Sequence, residues 1–227
     1  MTHLVSTLAD MAQTLVDSGV YDAHEVGHLL AQHVDAIVRW SVPDRQGPAI
    51  VAPSLVRAFS FLDLVSLAVV KELWGRNISE RDMRAGAAFL QQETGHEKPL
   101  AHKDVVDLLA TSGATLLMSL AGGWYDIGRG GQGAFENVVR LYLKTVSYDD
   151  LGVAQLWRPA PLVVLNPKIQ AGAPCLAGTR VPTARVNEML ATDPADVVAA
   201  DLDLTEDQVR AAVEFEAALA EGRGLAA

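Results

Sequence analysis

The segment from Asn166 to Thr183 constrains the fold of this chain more than any other. It reads NPKIQAGAPCLAGTRVPT, with three prolines, two glycines and only two charged residues, both basic. Each proline fixes φ and removes a backbone donor, so no regular helix or strand can run through the segment. The glycines permit positive φ. A short apolar run precedes the segment and helix signals follow it, so we predict a structured loop that leads into a small helical domain.

Three helix starts follow this loop. Thr183 is predicted to cap the first helix, and Asp193-Pro194 begins the second in the order of a cap followed by proline. Thr205 and Gln208 have the spacing of a capping box and begin the third helix. These signals predict a homeodomain-like domain of three helices over residues 166–227.

The N-terminal region has the spacing of a helix-turn-helix motif. Asp22 and Glu25 form a capping-box pattern at the start of a helix that reaches about Leu30. A short turn and a second helix near Val34 to Trp40 follow, which is the length of a helix-turn-helix. Residues 49–51 are predicted to form a brief strand or wing.

The whole pattern predicts a mainly α protein with a minor α+β component. Further helices are predicted over 2–18, 60–74, 79–92, 103–110 and 134–146, with a β-hairpin over 115–127 and a strand over 156–165. We therefore expect a winged helix-turn-helix-like domain over 1–110, a connector with a β-hairpin over 111–165, and the three-helix domain over 166–227.

Composition limits the classes of function. The 227 residues include 18 basic and 28 acidic side chains, a net charge of −10, which excludes a generally basic nucleic-acid binder. Cys175 is the single cysteine, so no intrachain disulfide can form, and we expect it to be a small buried apolar side chain. The first 20 residues lack the pattern of a signal peptide, and no apolar run has the length of a membrane span. We expect a cytoplasmic protein.

The loop motif resembles a known bacterial domain. Its pattern is formed by Pro167, Ile169, Gly172, Pro174, Gly178, Thr179, Arg180, Val181 and Pro182. In this pattern the chain resembles a small domain of formerly unknown function that is associated with antitoxins of toxin–antitoxin pairs. Residues 21–40, 59–70 and 131–143 are similar to the longer members of that family, which resemble VapB-type antitoxins with a MerR-like helix-turn-helix.

This resemblance implies a function. The protein would bind and neutralise a PIN-domain ribonuclease of the VapC type, and it would repress its own operon by binding operator DNA. A homodimer is expected, because helix-turn-helix repressors usually read paired half-sites. No catalytic residue, metal site or cofactor is expected.

The DNA-contacting residues are predicted from the second helix of the motif. Gln32, His33 and Arg39 would face the bases, because residues early in a recognition helix reach the base edges. Asp35 lies among them and would repel phosphates. Phosphate contacts are predicted for Arg57 and Arg76, with Lys71, Arg81 and Arg84 as further candidates. A solvated surface is an equally good interpretation of these basic residues, because phosphate binding requires clustering on one face.

The C-terminal domain is expected to contact protein rather than DNA. Its third helix is acidic, with Glu206, Asp207, Glu214 and Glu216 beside Arg210, and an acidic helix is repelled by DNA. Self-association or toxin binding suits its apolar positions better. The Gly178 to Pro182 string would chiefly reverse the chain, while Arg180 would brace a helix C-terminus or donate a fork to a carboxylate or phosphate.

Two rival hypotheses are retained. The protein could be a DNA-binding regulator without a toxin. It could also be a zinc peptidase, since His24-Glu25-Val26-Gly27-His28 matches the H-E-x-x-H pattern, in which two histidines share a helix face and hold zinc. The extended motif of such peptidases is missing, so we favour a chance match in which Glu25 caps the helix while Val26, Leu29 and Leu30 pack inward.

Overall fold

The computed structural model describes residues 18–55, 57–75, 78–112 and 145–225, with the side chains of 110–112 left out of that description. Eight α-helices lie in these ranges: α1 Ala23–Leu30, α2 Val34–Ser41, α3 Phe61–Trp74, α4 Glu80–Thr94, α5 Lys103–Ser112, α6 Thr183–Met189, α7 Ala195–Asp201 and α8 Glu206–Ala220. Four strands accompany them: β1 Val146–Tyr148, β2 Ala154–Ala160, β3 Val163–Leu165 and β4 Pro174–Leu176. The predicted mainly α fold with a small β component is confirmed.

Most predicted helix starts are confirmed by their hydrogen bonds. The Asp22 carboxylate accepts from the backbone N–H groups of His24 and Glu25 at 2.7 and 2.8 Å. Ser60 and Thr205 cap α3 and α8 in the same reciprocal way, with Asp63 and Gln208 as their partners. Each of these boxes satisfies donors that a helix N-terminus otherwise leaves without a partner.

Two predicted caps are wrong. The cap positions of α6 and α7 are Pro182 and Pro194, and neither helix has a side-chain cap. Thr183 is fully buried, and its hydroxyl lies 2.5 Å from Glu216 Oε1 on α8. That hydroxyl therefore joins two helices instead of capping one, and Asp193 precedes the cap of α7.

Two predicted strands differ from the structure. Residues 49–51 form no strand, because the N–H groups of Ile50 and Val51 both donate to the carbonyl oxygen of Trp40 and close the end of α2. The strand predicted over 156–165 is two antiparallel strands, β2 and β3. The chain reverses between them at Pro161 and Leu162, and the φ of Leu162 is +59°.

Three predictions fall elsewhere. The amphipathic helix over 2–18 (apart from Ser18) and the β-hairpin over 115–127 lie outside the described residues. Residues 134–144 of the predicted helix 134–146 also lie outside the described residues. Residue 146 begins β1 and is not the end of a helix.

The four strands form one antiparallel sheet in the order β1-β2-β3-β4. Trp157 stands opposite Val146 on one side and Leu165 on the other, and Cys175 stands opposite Val164. Trp157 is fully buried, so the sheet presents this face to the helices.

One principal core joins the two ends of the described chain. It contains Trp40 from α2, Trp157 from the sheet, and Phe215 and Leu219 from α8. A smaller cluster lies between β4 and the last three helices and is formed by Leu176, Val186, Val198, Val209 and Ala212. The principal core includes residues from both sides of positions 110 and 165. The domain boundaries predicted at these positions stay a prediction. None of the helices in the described ranges is long and apolar enough to span a membrane.

Candidate functional site

The loop from β4 to α6 is a tight turn whose polar atoms are satisfied within it. Thr179 Oγ1 donates to the carbonyl oxygen of Leu176 at 2.9 Å and accepts from the N–H of Val181 at 3.0 Å. The N–H of Leu176 donates to the carbonyl oxygen of Val181 at 2.9 Å. The segment thus reverses the chain with few free backbone groups, and its geometry is set before any partner arrives.

Gly172 and Gly178 serve the loop in different ways. Gly172 has φ of +90°, and a Cβ built on it would lie 2.2 Å from the Tyr21 hydroxyl oxygen. That hydroxyl donates to the carbonyl oxygen of Gly172 at 2.8 Å. Gly178 has φ of +80°, but a Cβ there would meet nothing within 4 Å. Gly172 is therefore required by a close contact with the N-terminal region, and Gly178 by backbone conformation alone.

Arg180 is the exposed charge that this loop presents. Its carbonyl oxygen accepts from Gln170 Nε2 at 3.0 Å, which holds the backbone. Among the described residues, its guanidinium makes no hydrogen bond or ion pair, so the structure does not show the predicted bracing of a helix C-terminus. Its planar fork of donors is free for an external carboxylate or phosphate.

The remaining motif residues shape the edge of the sheet. Pro174 begins β4 opposite Leu165, and Pro182 bridges to Cys175. Cys175 is buried as expected, and burial raises the pKa of its thiol to about 11. Because the thiolate is the nucleophilic form, this thiol is unreactive at neutral pH.

The helix-turn-helix depends on a glycine that the sequence analysis did not single out. The N–H of Gln32 donates to the carbonyl oxygen of Gly27 at 2.8 Å, and a Cβ on Gly27 would lie 2.8 Å from the carbonyl oxygen of Gln32. Ala31 closes α1 with φ of +50°. The sequence signal for this close approach is a small residue four positions before the turn, and Gly27 is that residue.

The structure places three of the predicted DNA contacts at the turn and α2. Gln32 is half-buried in the turn, and His33 is exposed at the cap of α2, where Asp35 Oδ2 lies 3.2 Å from its Nδ1. Arg39 is exposed, but its Nε lies 2.5 Å from Glu80 Oε1, and its guanidinium stands 5.9 Å from the centre of the Trp74 ring. The presented face is therefore mixed in charge rather than basic.

The predicted phosphate contacts are dispersed. Arg57 is exposed in the loop before α3, with φ of +59°, and Arg76 lies outside the described residues. The prediction for Arg84 is wrong. This side chain is fully buried, and it donates to the carbonyl oxygens of Arg39, Val42 and Pro48 at 2.7–2.9 Å. Arg84 therefore closes the C-terminal end of α2 from within the core.

The H-E-x-x-H string has another role in the structure. The Glu25 carboxylate accepts from the N–H of Asp22 at 2.7 Å, which completes the capping box of α1. His24 and His28 are exposed, and no third ligating side chain of the described part of the chain joins them. Val26, Leu29 and Leu30 are buried, so the interpretation of Glu25 as a cap partner is confirmed.

A cleft between the loop before α3 and the sheet was not predicted. Its volume is about 920 Å³, and its polar walls include Ser54, Ser60, Lys98, Asp149, Arg158 and Lys168. Asp63 lies fully buried beneath it, 2.6 Å from Lys98 Nζ. The sequence could not place Lys98 here, because the two partners of the ion pair are 35 positions apart.

Comparison with known proteins identifies part of the chain. Residues 163–215 match the family DUF433, which is described as a protein of unknown function. No curated protein matches the chain. The crystal structure of Rv2018 from Mycobacterium tuberculosis is similar, with a TM-score of 0.63 over 85% of this chain and 96% of that chain, at 24% sequence identity. At that identity the likeness establishes a shared fold alone. The C-terminal part of the chain, from β3 into α8, thus carries a DUF433 domain.

Proposed function

We propose that this protein is the antitoxin of a toxin–antitoxin pair. It binds and neutralises a PIN-domain ribonuclease of the VapC type, and as a homodimer it represses its own operon through the N-terminal helix-turn-helix. The proposal rests on the resemblance of the loop motif to antitoxin-associated domains. The position of Arg180 is the structural observation that supports it most.

Arg180 is suited to block an acidic nuclease site. The loop that carries it is closed by its own hydrogen bonds, and Gln170 Nε2 fixes its backbone at 3.0 Å. The backbone at Arg180 is therefore ordered before a partner binds, and only the side chain loses conformational freedom when the guanidinium meets a carboxylate pair. PIN-type nucleases hold their metal with carboxylates, so an inserted arginine would compete with that metal.

The acidic surface of α8 supports a protein partner at this end of the molecule. Glu206, Asp207 and Glu214 are exposed, and Arg210 lies against both Asp207 and Glu214. The one basic side chain within α8 is thus occupied by local pairs. A surface of this charge is repelled by phosphates and attracts a basic protein surface.

The DNA-binding half of the proposal rests on α1 and α2. Gly27 lets the turn approach α1 closely, so the helix pair has a defined geometry. Arg39 would exchange Glu80 for a phosphate or a base edge, which costs part of the ion pair. We therefore expect operator binding of modest affinity with a shallow salt dependence, because few phosphates are neutralised.

The first experiment isolates the partner. The tagged protein is purified from an extract of its own host, and the mass of any stoichiometric companion is measured. We expect a small nuclease whose metal-dependent ribonuclease activity is silent in the complex and returns when the complex is separated. A protein that is recovered alone at every salt concentration contradicts the antitoxin proposal.

A matched pair of variants then tests the role of Arg180. Arg180→Ala should weaken the complex by at least about 30-fold, since truncating one side of a buried charge pair costs about 2–5 kcal/mol. Arg185→Ala is the control, because Arg185 is equally basic, exposed and close in sequence, and lies 3.5 Å from Glu188. Equal losses in both variants would show a general charge effect and exclude an inserted Arg180.

A regulator without a toxin is the second candidate, and the helix-turn-helix geometry favours it independently of the C-terminal domain. In this case the protein selects a DNA site from a random pool, and no nuclease accompanies it. Arg39→Ala should reduce operator affinity, whereas Arg210→Ala on the acidic α8 should not. Unchanged affinity of Arg39→Ala at moderate salt would refute DNA reading by α2 in both candidates.

A further inference from the structure

Two histidines and an aspartate meet where α4 ends and α5 begins. His96 follows α4, His102 directly precedes α5, and Asp104 lies in the first turn of α5. One potential ligand atom from each lies within 4.8 Å of the others. His96 Nε2 stands 3.4 Å from Asp104 Oδ2, and the two imidazole rings are stacked, with centroids 3.6 Å apart and planes 10° apart.

The backbone holds these side chains in place. The N–H of His96 donates to Thr94 Oγ1 at 3.2 Å. His102 forms a β-bridge with Val153, and the N–H of Lys103 donates to the carbonyl oxygen of Gly152 at 2.9 Å. The cluster is therefore anchored on one side to α4 and on the other to the turn between β1 and β2.

The donor types of the cluster suit a transition metal. Imidazole nitrogens and carboxylate oxygens are both common ligands of Zn²⁺ and of other divalent first-row metals. The cluster offers two imidazoles and one carboxylate.

One buried polar atom of the cluster has no hydrogen-bond partner among the described residues. His102 Nδ1 is shielded from solvent and makes no hydrogen bond with any described residue. A buried ring nitrogen without a partner costs free energy unless a water molecule or a metal pairs with it. Two carboxylates, those of Asp104 and Asp149, lie close enough to interact electrostatically with His102.

We propose that His96, His102 and Asp104 bind a divalent first-row transition metal, with two imidazole ligands and one carboxylate. Zn²⁺ accepts this donor set in tetrahedral sites with three protein ligands and one open position. Bonds of about 2.0–2.1 Å place tetrahedral ligand atoms about 3.4 Å apart. The His96 Nε2–Asp104 Oδ2 pair already has that spacing, at 3.4 Å. The two imidazole rings must rotate out of their stacked arrangement to bind one ion, because parallel rings direct their lone pairs along separate planes.

The bound metal would fasten α4, α5 and the β1–β2 turn together beside the cleft. Glu97 and Lys98, which directly follow His96, line that cleft, as does Asp149. The site thus acts on the fold around the cleft, and it is independent of the antitoxin proposal. Neither His24 nor His28 contributes to it.

The test is metal binding by the full chain after removal of any histidine tag and stripping with a chelator. Equilibrium dialysis against Zn²⁺ should give one ion per chain with a dissociation constant in the micromolar range or tighter, and the thermal midpoint should rise. Co²⁺ provides a spectrum that reports nitrogen ligation. His96→Ala and Asp104→Asn should each weaken binding at least tenfold, since losing even a hydrogen-bond partner of a metal ligand costs about 10–100-fold.

The control is the double variant His24→Ala/His28→Ala, which removes the two histidines of the H-E-x-x-H string and leaves the cluster intact. It should bind Zn²⁺ as the unchanged chain does. If this control loses the ion while His96→Ala and Asp104→Asn keep it, the proposal is overturned. Absence of binding at 100 µM Zn²⁺, a concentration about 100-fold above a micromolar dissociation constant, overturns it as well. Circular dichroism of each variant confirms that the fold is retained, and His96→Gln replaces His96→Ala if it is not.

Discussion

At the scale of single residues, two structural constraints require glycine at position 172, and only one of them applies at position 178. Gly172 has positive φ and also touches the Tyr21 ring, whereas Gly178 has positive φ in open space. The same motif therefore contains one glycine selected by packing and one selected by conformation.

Alanine substitutions should reveal this difference. Gly178→Ala should lower the free energy of unfolding by about 1–2 kcal/mol, the cost of left-handed backbone at an alanine. Gly172→Ala should cost more, because its Cβ would lie 2.2 Å from the Tyr21 hydroxyl and force the two segments apart. Urea denaturation of both variants measures the costs.

The double variant Gly172→Ala/Tyr21→Ala distinguishes the causes. If the clash dominates, Tyr21→Ala recovers part of the loss caused by Gly172→Ala. Additive losses would show that the Tyr21 contact plays no part in the requirement for glycine.

Basic residues show what the sequence cannot reveal at this scale. Arg84 and Arg180 have the same side chain, yet one is fully buried and the other is exposed. The burial of Arg84 depends on carbonyl groups 36 to 45 positions earlier in the chain. No local pattern contains that information, so the prediction of a phosphate contact was wrong there.

At the scale of elements, the loop before α3 is organised by one carboxylate. Asp63 accepts from the N–H groups of Ser54 and Ser60 at 2.8 and 2.9 Å and from Ser54 Oγ at 3.0 Å. Lys98 Nζ lies 2.6 Å away and also donates to the carbonyl oxygen of Ala52. One side chain thereby caps α3, closes the loop and joins it to the segment before α5.

Removing this carboxylate should cost more than removing its cation. Asp63→Ala should lower the free energy of unfolding by about 3–5 kcal/mol, because it leaves the Lys98 ammonium almost buried without its counter-ion. Lys98→Met should cost less, since Asp63 keeps its three hydrogen-bond donors. Thermal and urea unfolding of the two variants measure the difference.

The double variant Asp63→Ala/Lys98→Met completes the cycle. It should be more stable than the sum of the single losses predicts, because it leaves no buried charge without a partner. A larger loss for Lys98→Met than for Asp63→Ala would contradict this account.

Helix starts were predictable for the same local reason that makes capping boxes work. The residues that form the boxes at Asp22, Ser60 and Thr205 lie three positions from their partners. Thr183 is a residue type that caps helices, but its hydroxyl donates a hydrogen bond to Glu216, 33 positions later. Tertiary contacts therefore override local capping where a better partner lies nearby in space.

At the scale of the whole molecule, the sheet and the N-terminal helices share one core. Trp40 and Trp157 are both fully buried in it, together with Phe215 from the last helix. The apolar spacing of each helix predicted that it would be buried, but nothing in the spacing predicts which partner buries it. The cleft and the His96–His102 pair could not be foreseen for this reason, whereas the motif loop, whose geometry is local, could.

Stability should depend on pH through His102. Its pKa in the folded protein is lower than the unfolded value of about 6.5, because burial and His96 disfavour the charged ring. Below pH 6.5 the unfolded chain binds more protons, so the free energy of unfolding falls as pH decreases towards the folded pKa. His102→Gln should flatten this dependence in metal-free buffer.

His28→Gln is the control for that measurement, because His28 lies exposed on α1. It should keep the slope of the unchanged protein between pH 7 and pH 5. A slope that persists in His102→Gln but disappears in His28→Gln would contradict this prediction, because the pH dependence would then arise from His28. The groups that act electrostatically on His102, which are His96, Asp104 and Asp149, are unchanged in His28→Gln.

Two hydrogen bonds join the two ends of the described chain, so amide exchange at one end depends on the stability of the other. The N–H of Val20 donates to the carbonyl oxygen of Ala171, and the N–H of Leu225 donates to that of Leu29, at 2.9 and 2.7 Å. Amide hydrogens at Val20 and Leu225 can therefore exchange with solvent only when the opposite end releases its carbonyl group. A ligand that tightens the DUF433 domain will slow exchange at the start of the chain, some 150 residues away in sequence.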